Sequence, residues 1–502
     1  MLKTLVKDAH ILTMDEQLKE YEKGCLEIED GVITHIGDRP SESESAFNHV
    51  MDAEGMLMSP GLHNAHTHSP SNVIKAVYDL AFHAIGMWHI HAWTVNRTSE
   101  EIKTSTLLGC LEMLKTGTIG CVDHSPVTGS INRLPAAGAK ALDIDPIAEA
   151  YLQAKMKAAI SVSVTDHEYS DIFPVNRKGL SENLICRMED SFEKPLPVEE
   201  TLNLCKEAIE KWDGHLDKLK IMAGPTSPLR CSKELLKGAV KLQKEFQIGI
   251  HTHLLESKVQ TEISQQRYQK TLVEMIDDLG MISDKLFCAH TNWVTDQDIS
   301  ILGSKGASVI HNIGSNLRGS AGISPIFKLR KAGCNIALGA DGSSSNGSQN
   351  MFTLTRLALT AHRVNQPDMK KWLTTRDIMQ FLTSGGAKAS LLEQSSGSLE
   401  QGKKADLVLY DKSSIWLTPF NEPYRLLAWA ENGSSVHTVM IDGEVVVENG
   451  QVLTIDEDRV KKDANEMVKT IPKRNRSIFE VIEEITPILS EEHLRRFEQK
   501  HQ

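Results

Sequence analysis

Apolar and polar positions follow a strand-like pattern at both ends of the chain. Residues 25–37 alternate apolar with polar side chains on both sides of an Asp-Gly pair, and residues 436–447 do the same. Such alternation predicts half-buried strands, and an Asp-Gly pair between two strands predicts a hairpin with a type I′ turn. We therefore predict that the two chain ends together build one small composite β-sandwich domain.

In the middle of the chain, apolar strand-like runs alternate with amphipathic helical stretches. The eight strand candidates are residues 56–66, 118–123, 157–165, 218–224, 246–253, 285–290, 305–311 and 335–340. The helical stretches between them include residues 99–116, 198–212, 232–245, 257–279 and 350–363. Repeated strand–helix units predict an α/β fold with a parallel sheet, and eight units fit a (β/α)8 TIM barrel. A doubly wound open sheet is the alternative.

This pattern divides the chain of 502 residues into four parts. Residues 1–58 form the N-terminal part of the composite β domain, and residues 396–455 form its C-terminal part. Residues 59–395 form the barrel. The charged residues 456–502 form a C-terminal helical extension. A chain of this length suits a large barrel with a smaller attached unit.

Composition and charge exclude several classes of protein. The net charge of −12 argues against a surface that follows nucleic-acid phosphates, so no nucleic-acid partner is expected. The sequence has no apolar run of roughly 18 residues that would predict a membrane span, and its N-terminus lacks a secretory signal pattern. The eight cysteines form no C-x-x-C pair, which predicts buried thiols in a reducing compartment, the cytoplasm.

Polar residues cluster where five of the strand candidates end. They are His66 and His68 at the first strand, His251 and His253 at the fifth, His290 at the sixth, His311 and Asn312 at the seventh, and Asp341 at the eighth. A closed barrel brings these ends to one face, where barrel enzymes carry their active sites. An open sheet would separate the first strand from the eighth. The distribution therefore favours the barrel.

The pair His66 and His68 points to a metal site. Residues i and i+2 of a strand face the same side, so both imidazoles can reach one ion. A third imidazole and a carboxylate complete a ligand set that suits Zn²⁺ and leaves one position open for water. Fe²⁺ is the alternative, because imidazole and carboxylate also suit iron.

The ordered set of motifs resembles one enzyme family. The motifs are Pro60-Gly61-x-x-x-x-His66-x-His68, His253-x-x-Glu256, His290, His311-Asn312, Ser315-Asn316-Leu317 and Asp341-Gly342. Together they resemble the amidohydrolase superfamily. Within it they resemble the mononuclear-metal branch of deaminases and chlorohydrolases, which includes guanine deaminase, S-adenosylhomocysteine deaminase and the triazine hydrolases. The resemblance covers nearly the whole chain, including its strand-rich ends.

The resemblance implies a role for each matched residue. The implied ligands of one divalent metal ion per chain are His66, His68, His253 and Asp341. Such an ion lowers the pKa of a bound water toward ~7, and Asp341 would also accept a proton from this water. Glu256 would protonate the ring nitrogen and then the leaving group. His290 would hydrogen-bond the attacking or developing oxygen.

Three further residues are implied to bind the substrate: Trp88, His311 and Asn316. For Trp88, the alternative is an ordinary helical segment that also contains His89 and His91. For His311, the alternative is a residue that only braces the pocket. The usual Pro after the pair His311-Asn312 is replaced by Ile313, a departure from the family pattern.

Other residues near the strand ends have either a functional or a structural interpretation. His251 lies two positions before His253, but only His253 has an acid three residues later, so we assign His251 a supporting role. His124 and His167 either reach the substrate or serve the structure of their strand ends. Lys218 and Lys220 lie on the fourth strand, where binuclear relatives carry a metal-bridging lysine. We interpret both lysines as structural, because the motif at His253 belongs to the mononuclear branch.

The predicted function is hydrolytic deamination of an amino-substituted nitrogen heterocycle, such as a purine, pterin, pyrimidine or triazine, with release of ammonia. The alternative uses the same site to expel chloride, an alkylamine or an aniline. Glu256 favours C–N cleavage, because an amine leaving group needs a proton and chloride does not. A non-catalytic scaffold is disfavoured, since every implied ligand is present. The resemblance also suggests a homo-oligomer that acts on a small molecule.

Overall fold

The structure is a computed structural model that describes residues 2–77, 83–126, 144–167, 180–191, 195–364 and 366–498. The described strands form one parallel sheet of eight strands and one mixed sheet of nine. In chain order the strands are β1 (Lys3–Leu12), β2 (Glu20–Glu29), β3 (Val32–Gly37), β4 (His49–Asp52), β5 (Met56–Pro60), β6 (Leu62–Thr67), β7 (Thr118–Pro126), β8 (Lys157–Val164), β9 (Leu219–Pro225), β10 (Gly249–Leu254), β11 (Leu286–His290), β12 (Ser308–His311), β13 (Asn335–Leu338), β14 (Leu407–Asp411), β15 (Val436–Ile441), β16 (Glu444–Glu448) and β17 (Gln451–Val452).

The α-helices lie mainly between the strands of the parallel sheet and at the C-terminus. They are α1 (His83–Thr94), α2 (Ser99–Lys115), α3 (Asp145–Ala154), α4 (Glu182–Asp190), α5 (Val198–Trp212), α6 (Lys233–Phe246), α7 (Lys258–Tyr268), α8 (Leu272–Asp278), α9 (Asp296–Ser304), α10 (Ile313–Arg318), α11 (Ile326–Lys331), α12 (Gly342–Asn346), α13 (Met351–Ala361), α14 (Thr375–Leu382), α15 (Ser384–Ala389), α16 (Pro423–Arg425), α17 (Glu457–Arg474) and α18 (Arg476–Glu498). None of the described helices is long and apolar enough to cross a membrane.

Strands β6 to β13 form the predicted barrel. They pair in parallel in their chain order, each with the next. The seam between the last and first strands is joined after β13, where the Asp341 amide donates to the His66 carbonyl at 2.8 Å. Small and apolar side chains such as Val122, Ala159 and Met222 fill the interior. The prediction of a (β/α)8 barrel is confirmed, and the open-sheet alternative is wrong.

The second sheet combines strands from both chain ends, as predicted. Its order is β17-β16-β15-β14-β5-β1-β2-β3, and β4 pairs with β1. It is one continuous sheet, an isolated bridge joins Val32 to Lys404, and residues of β1, β2, β5 and β14 share an apolar cluster. Both hairpins turn at their Asp-Gly pairs, where φ is 47° and 81° at Asp30 and Gly31, and 52° and 78° at Asp442 and Gly443. Positive φ at both central positions identifies type I′ turns.

One predicted strand, residues 56–66, is two strands in the structure. Up to Pro60 the chain pairs with β14 of the mixed sheet, and from Leu62 it pairs with β7 of the barrel. Gly61 lies at the crossing, where a Cβ atom would come within 2.5 Å of Ile119. The mixed sheet therefore extends two residues beyond the boundary that we predicted at residue 58.

One predicted helix, residues 257–279, is also divided. Gln269 ends α7 with φ of 56°, and α8 begins after a capping box between Thr271 and Glu274. A left-handed residue cannot continue a right-handed helix, whereas the capping box supplies the next start.

All eight cysteines are free, and seven of them are buried. Cys186 on α4 is the exception to the predicted burial, because its side chain is exposed.

A buried ion network joins the barrel to the mixed sheet. The Lys157 ammonium, at the start of β8, lies 2.6 Å from Asp406 Oδ2 and 2.7 Å from Asp442 Oδ1. The side chains of Lys157 and Asp406 are only 1% and 2% exposed. Burial alone would lower the pKa of Lys157, but the two carboxylates raise it. The lysine is therefore charged, and it contacts two acids that belong to the other sheet, of which Asp442 also pairs with Lys218.

We predict that Lys157→Ala lowers the free energy of unfolding by about 3–5 kcal/mol, because it leaves the buried Asp406 carboxylate without a cation. The measurement is the midpoint of urea unfolding. The matched control is Lys155→Ala, since Lys155 pairs with Glu444 of the same sheet but both side chains are exposed. The control is expected to change stability by about 1 kcal/mol or less. Equal losses in the two variants would contradict the assigned role of the buried network.

Candidate active site

Three imidazoles meet at the carboxyl ends of β6 and β10. His66 is on β6, His68 directly follows it, and His253 is on β10. A hydrogen bond fixes the Nδ1 atom of each ring: His66 to His251 Nε2 at 2.8 Å, His68 to the His124 carbonyl at 2.8 Å, and His253 to the Thr226 carbonyl at 2.6 Å. Anchoring Nδ1 sets the orientation of a ring and leaves Nε2 for a metal ion.

Asp341 follows β13 and brings a carboxylate to the same point. Its Oδ1 atom lies 3.1 Å from His66 Nε2 and 3.3 Å from His68 Nε2. The residue has φ of 57°, a left-handed conformation that Asp adopts more readily than most residues. The backbone is held on one side by the His66 carbonyl and on the other by Asn64, whose Oδ1 accepts from the Ala340 amide at 2.9 Å.

The electrostatics of this cluster suit a cation. Burial lowers the pKa of His66 to about 4 and that of His253 well below its usual value, so both imidazoles are neutral. Burial opposes ionisation of Asp341, but its contacts with His66 and His68 hold the pKa of Asp341 well below its usual range. In turn the carboxylate raises the pKa of His68 in spite of its burial. Neutral imidazoles beside an ionised carboxylate are the form in which these groups bind metals.

The residues present fit a divalent metal ion. Ligand atoms of His66, His253, His290 and Asp341 all lie within 4.8 Å of one another. His68 Nε2 lies 3.3 Å from both Asp341 Oδ1 and His253 Nε2. Among the described residues, the buried His66 Nε2 has no hydrogen-bond partner of good geometry, although it faces the carboxylate. A buried nitrogen is expected to be satisfied, and a metal ion would satisfy it.

Glu256 and His290 border this cluster. The Glu256 carboxylate lies 3.9 Å from His290 Nε2, and His290 Nε2 lies 4.0 Å from Asp341 Oδ2. The backbone of Glu256 is fixed on both sides, since its amide donates to Gln260 and its carbonyl accepts from Asn292 Nδ2 at 2.8 Å. The site therefore gathers two carboxylates and an imidazole within reach of one small molecule.

The amidohydrolase family model matches residues 57–446. The chain belongs to the amidohydrolase family. The predicted family is confirmed, and with it the prediction of a hydrolase that acts on carbon–nitrogen bonds. The family and the His/Asp cluster also support a bound divalent metal ion, as predicted.

Two relatives match almost the whole of this amidohydrolase. A 5′-deoxyadenosine deaminase from Methanosarcina barkeri is 31% identical over 478 residues, which cover 94% of this chain and 99% of the relative. A 5-methylthioadenosine/S-adenosylhomocysteine deaminase from Acetivibrio thermocellus is 30% identical over 473 residues, which cover 93% of this chain and 99% of the relative.

Solved structures share the fold of this amidohydrolase. An atrazine chlorohydrolase from Arthrobacter aurescens, complexed with zinc, has a TM-score of 0.82 and 22% identity, with 93% of this chain and 100% of the other covered. An adenosine deaminase from Xanthomonas campestris with bound zinc has a TM-score of 0.80 and 22% identity, with 94% and 99% covered. At this level of identity the two structures establish similarity of fold alone.

The amidohydrolase places Asn316 behind His290. Asn316 Oδ1 bonds His290 Nδ1 at 2.8 Å, and Asn316 Nδ2 donates to Asn292 Oδ1 at 2.9 Å. Both ends of the amide therefore contact protein groups, and the bond to Nδ1 directs His290 Nε2 toward Glu256 and Asp341. These contacts favour a positioning role for Asn316 over the predicted contact with substrate, which stays a prediction.

His311 lies near this cluster but pairs with a residue outside it. Its Nε2 atom lies 3.1 Å from His362 Nε2 beyond the end of α13, and its side chain is fully buried. The contact favours the alternative that His311 braces the pocket. The predicted contact with substrate is not tested by it.

Trp88 lies in an apolar cluster formed by three helices. Its side chain is buried on α1 among residues of α4 and α18, which include Met188, Val481 and Ile485. The C-terminal extension thus covers the helix in which we predicted a pocket residue. The structure shows Trp88 packed with residues of α4 and α18, and its role in binding substrate stays a prediction.

The remaining histidines and lysines considered from the sequence lie either beside the His/Asp cluster or away from it. His251 contacts His66, in agreement with a supporting role. His91 bonds the Ser191 carbonyl at 2.6 Å, away from the metal cluster. Lys218 pairs with Asp442 of the mixed sheet, which supports a structural role. Residues 168–179, which include most of the long connection after β8, lie outside the described residues.

We predict that His253→Ala removes most of the bound metal, because it deletes a ligand. The matched variant His251→Ala deletes only the partner of His66 and should weaken metal affinity by about 10–100-fold. The measurement is metal content per chain after equilibration with a graded series of chelator concentrations. Identical metal loss in both variants would place His251 among the ligands and contradict the assignment.

Proposed function

We propose that this amidohydrolase deaminates an adenine nucleoside that is modified at its 5′ position. Two relatives, each about 30% identical over nearly the full length of both chains, are a 5′-deoxyadenosine deaminase and a 5-methylthioadenosine/S-adenosylhomocysteine deaminase. Hydrolytic deamination of a nitrogen heterocycle was the predicted activity. A 5′-modified adenine nucleoside is a narrower substrate class than a nitrogen heterocycle, and this choice rests on the two relatives.

The observation that carries the proposal is the arrangement of Glu256, His290 and Asp341. Glu256 Oε2 lies 3.9 Å from His290 Nε2, and the same nitrogen lies 4.0 Å from Asp341 Oδ2. An aromatic amine is a poor leaving group until its ring and amino nitrogens are protonated. A site that deaminates such a ring therefore needs one group that takes a proton from water and a second that delivers it to nitrogen.

The chain supplies both groups. A divalent ion held by His66, His68, His253 and Asp341 supplies an activated water at neutral pH. Asp341 Oδ2, on the side of His290, accepts the proton of the attacking water. Glu256 cycles between acid and base: it gives a proton to the ring nitrogen, takes the second proton of the added water and passes it to the departing amine. The proton on Asp341 then restores the acid form of Glu256. His290 Nδ1 donates to Asn316 Oδ1, so Nε2 of the neutral ring can accept a hydrogen bond from the attacking water, and Asn316 keeps that nitrogen in place.

Several finer features belong to the proposal. We propose Zn²⁺ as the ion, with Fe²⁺ as the alternative, because three imidazoles and a carboxylate suit zinc. The assembly is proposed to be a homo-oligomer without nucleic acid, and its location to be the cytoplasm, which the free thiols support. Site roles for Glu256, His290 and the ligands rest on the geometry above.

The test is a panel assay of ammonia release by the zinc-loaded protein. The panel contains 5′-deoxyadenosine, 5′-methylthioadenosine, S-adenosylhomocysteine, adenosine, guanine, a pterin and an aminotriazine. Release from the 5′-modified adenosines at a kcat/KM at least tenfold above the other amines is expected. A preference for guanine or for the triazine would refute the proposal that the substrate is an adenine nucleoside. No ammonia from this panel, together with release of chloride, an alkylamine or an aniline from triazines that carry those groups, would support the alternative leaving groups.

We predict that Glu256→Gln lowers kcat by about 10²–10⁴-fold while the metal content stays at the wild-type level, because the amide cannot deliver a proton. The control Glu262→Gln makes the same change on α7, outside the cluster, and should leave kcat unchanged. Steady-state ammonia release and metal analysis on the same samples provide the measurement. Wild-type turnover in Glu256→Gln would remove this residue from the mechanism.

A further inference from the structure

His124 is a buried histidine inside the barrel that the roles assigned so far do not use. It lies on β7 two residues after Val122, whose side chain belongs to the interior core of the barrel. Residues i and i+2 of a strand face the same side, so the His124 ring enters the same interior one layer nearer the carboxyl ends. Only 3% of the residue is exposed.

One ring nitrogen of His124 is anchored and the other is not. Nδ1 lies 3.0 Å from Ser161 Oγ on the neighbouring strand β8. Nε2 is buried and has no hydrogen-bond partner within the part of the chain that the structure describes. Buried polar atoms are nearly always satisfied, and one that is not needs an explanation such as a ligand.

The ring of His124 lies against the metal cluster. Its centroid is 4.8 Å from that of His253 and 5.7 Å from that of His68, and both contacts are nearly perpendicular, at 86° and 87°. The ligand atoms that lie within 4.8 Å of one another belong to His66, His253, His290 and Asp341, and His68 joins them through contacts of 3.3 Å with Asp341 Oδ1 and His253 Nε2. His124 meets this group edge-on, through the rings of His68 and His253, so its ring borders the proposed ligands.

We propose that His124 Nε2 hydrogen-bonds the substrate, and that His124 is a substrate-binding residue of this amidohydrolase. The proposal rests on the proposed function, since it takes the bound molecule to be an adenine nucleoside. The partner is a polar atom of the ring or of the sugar. The anchor at Ser161 fixes the imidazole, so that the nucleoside meets a nitrogen that is already oriented.

A structural role must be separated from this one. The His124 carbonyl accepts the bond from His68 Nδ1, but this group belongs to the backbone and survives any side-chain replacement. The side chain could instead act through Ser161. Asn and Gln distinguish the two cases, because the Asn amide reaches the position of Nδ1 and the Gln amide reaches that of Nε2.

The experiment compares His124→Gln, His124→Asn and His124→Phe with the wild type in the zinc-loaded protein. Turnover of 5′-deoxyadenosine, or of the best amine of the panel, gives kcat and KM, and metal per chain is measured on the same samples. Binding of the same compound is measured in the Glu256→Gln background, where turnover is suppressed. We expect Asn and Phe to weaken binding and raise KM by about tenfold or more, and Gln to stay within about threefold of the wild type, at unchanged metal content.

Other outcomes overturn the inference. Rescue by Asn but not by Gln would assign His124 to Ser161 and to structure. Wild-type binding and KM in all three variants, or loss of metal in all three, would also remove the contact with substrate. If the wild type releases ammonia and these results are obtained, the proposed function stands and only His124 is reassigned. If the wild type released no ammonia from any compound of the panel, the proposed function would be overturned, and this inference with it.

Discussion

The active site depends on the seam that joins the last strand of the barrel to the first. The Asp341 amide donates to the His66 carbonyl, and the Ala340 amide donates to Asn64 Oδ1. Asn64 also donates to Gln349 at 2.8 Å, which ties the segment after α12 to β6. Two residues that are 275 positions apart in the sequence thereby become neighbours as a consequence of barrel closure. The same bonds that complete the fold set the separation between the first imidazole and the carboxylate.

Burial at this seam explains the chemistry of the cluster. Burial lowers the pKa of His66 and His253, whereas contacts with His66 and His68 hold the pKa of Asp341 low and the carboxylate raises that of His68. Each of His66, His68 and His253 is also held at Nδ1 by a separate protein group. The ligands are thus oriented before any ion arrives, and binding does not have to order them.

The sequence predicted the parts of this structure that depend on local pattern. The Asp-Gly pairs predicted the two hairpins, and the polar residues at the ends of apolar strands predicted the cluster of His and Asp side chains. What it missed depends on contacts between distant segments. Trp88 could not be assigned to the cluster under α18, nor Asn316 to the rear of His290, because neither partner is near in sequence. His124 was noted at a strand end, but its unsatisfied Nε2 is visible only once Ser161 and the metal cluster surround it.

The two ends of the barrel differ in function: the amino ends of the strands carry a stabilising ion network, and the carboxyl ends carry the candidate active site. At the amino ends of the strands, Lys157 joins Asp406 and Asp442 in a closed network in which each charge has a protein partner. At the carboxyl ends, charged and polar atoms converge without such closure, as at His66 Nε2 and His124 Nε2. A network that is satisfied by the protein stabilises the fold, whereas one that is incomplete is completed by what it binds. In this chain the unsatisfied Nε2 atoms of His66 and His124 lie at the face where we propose that ion and substrate bind.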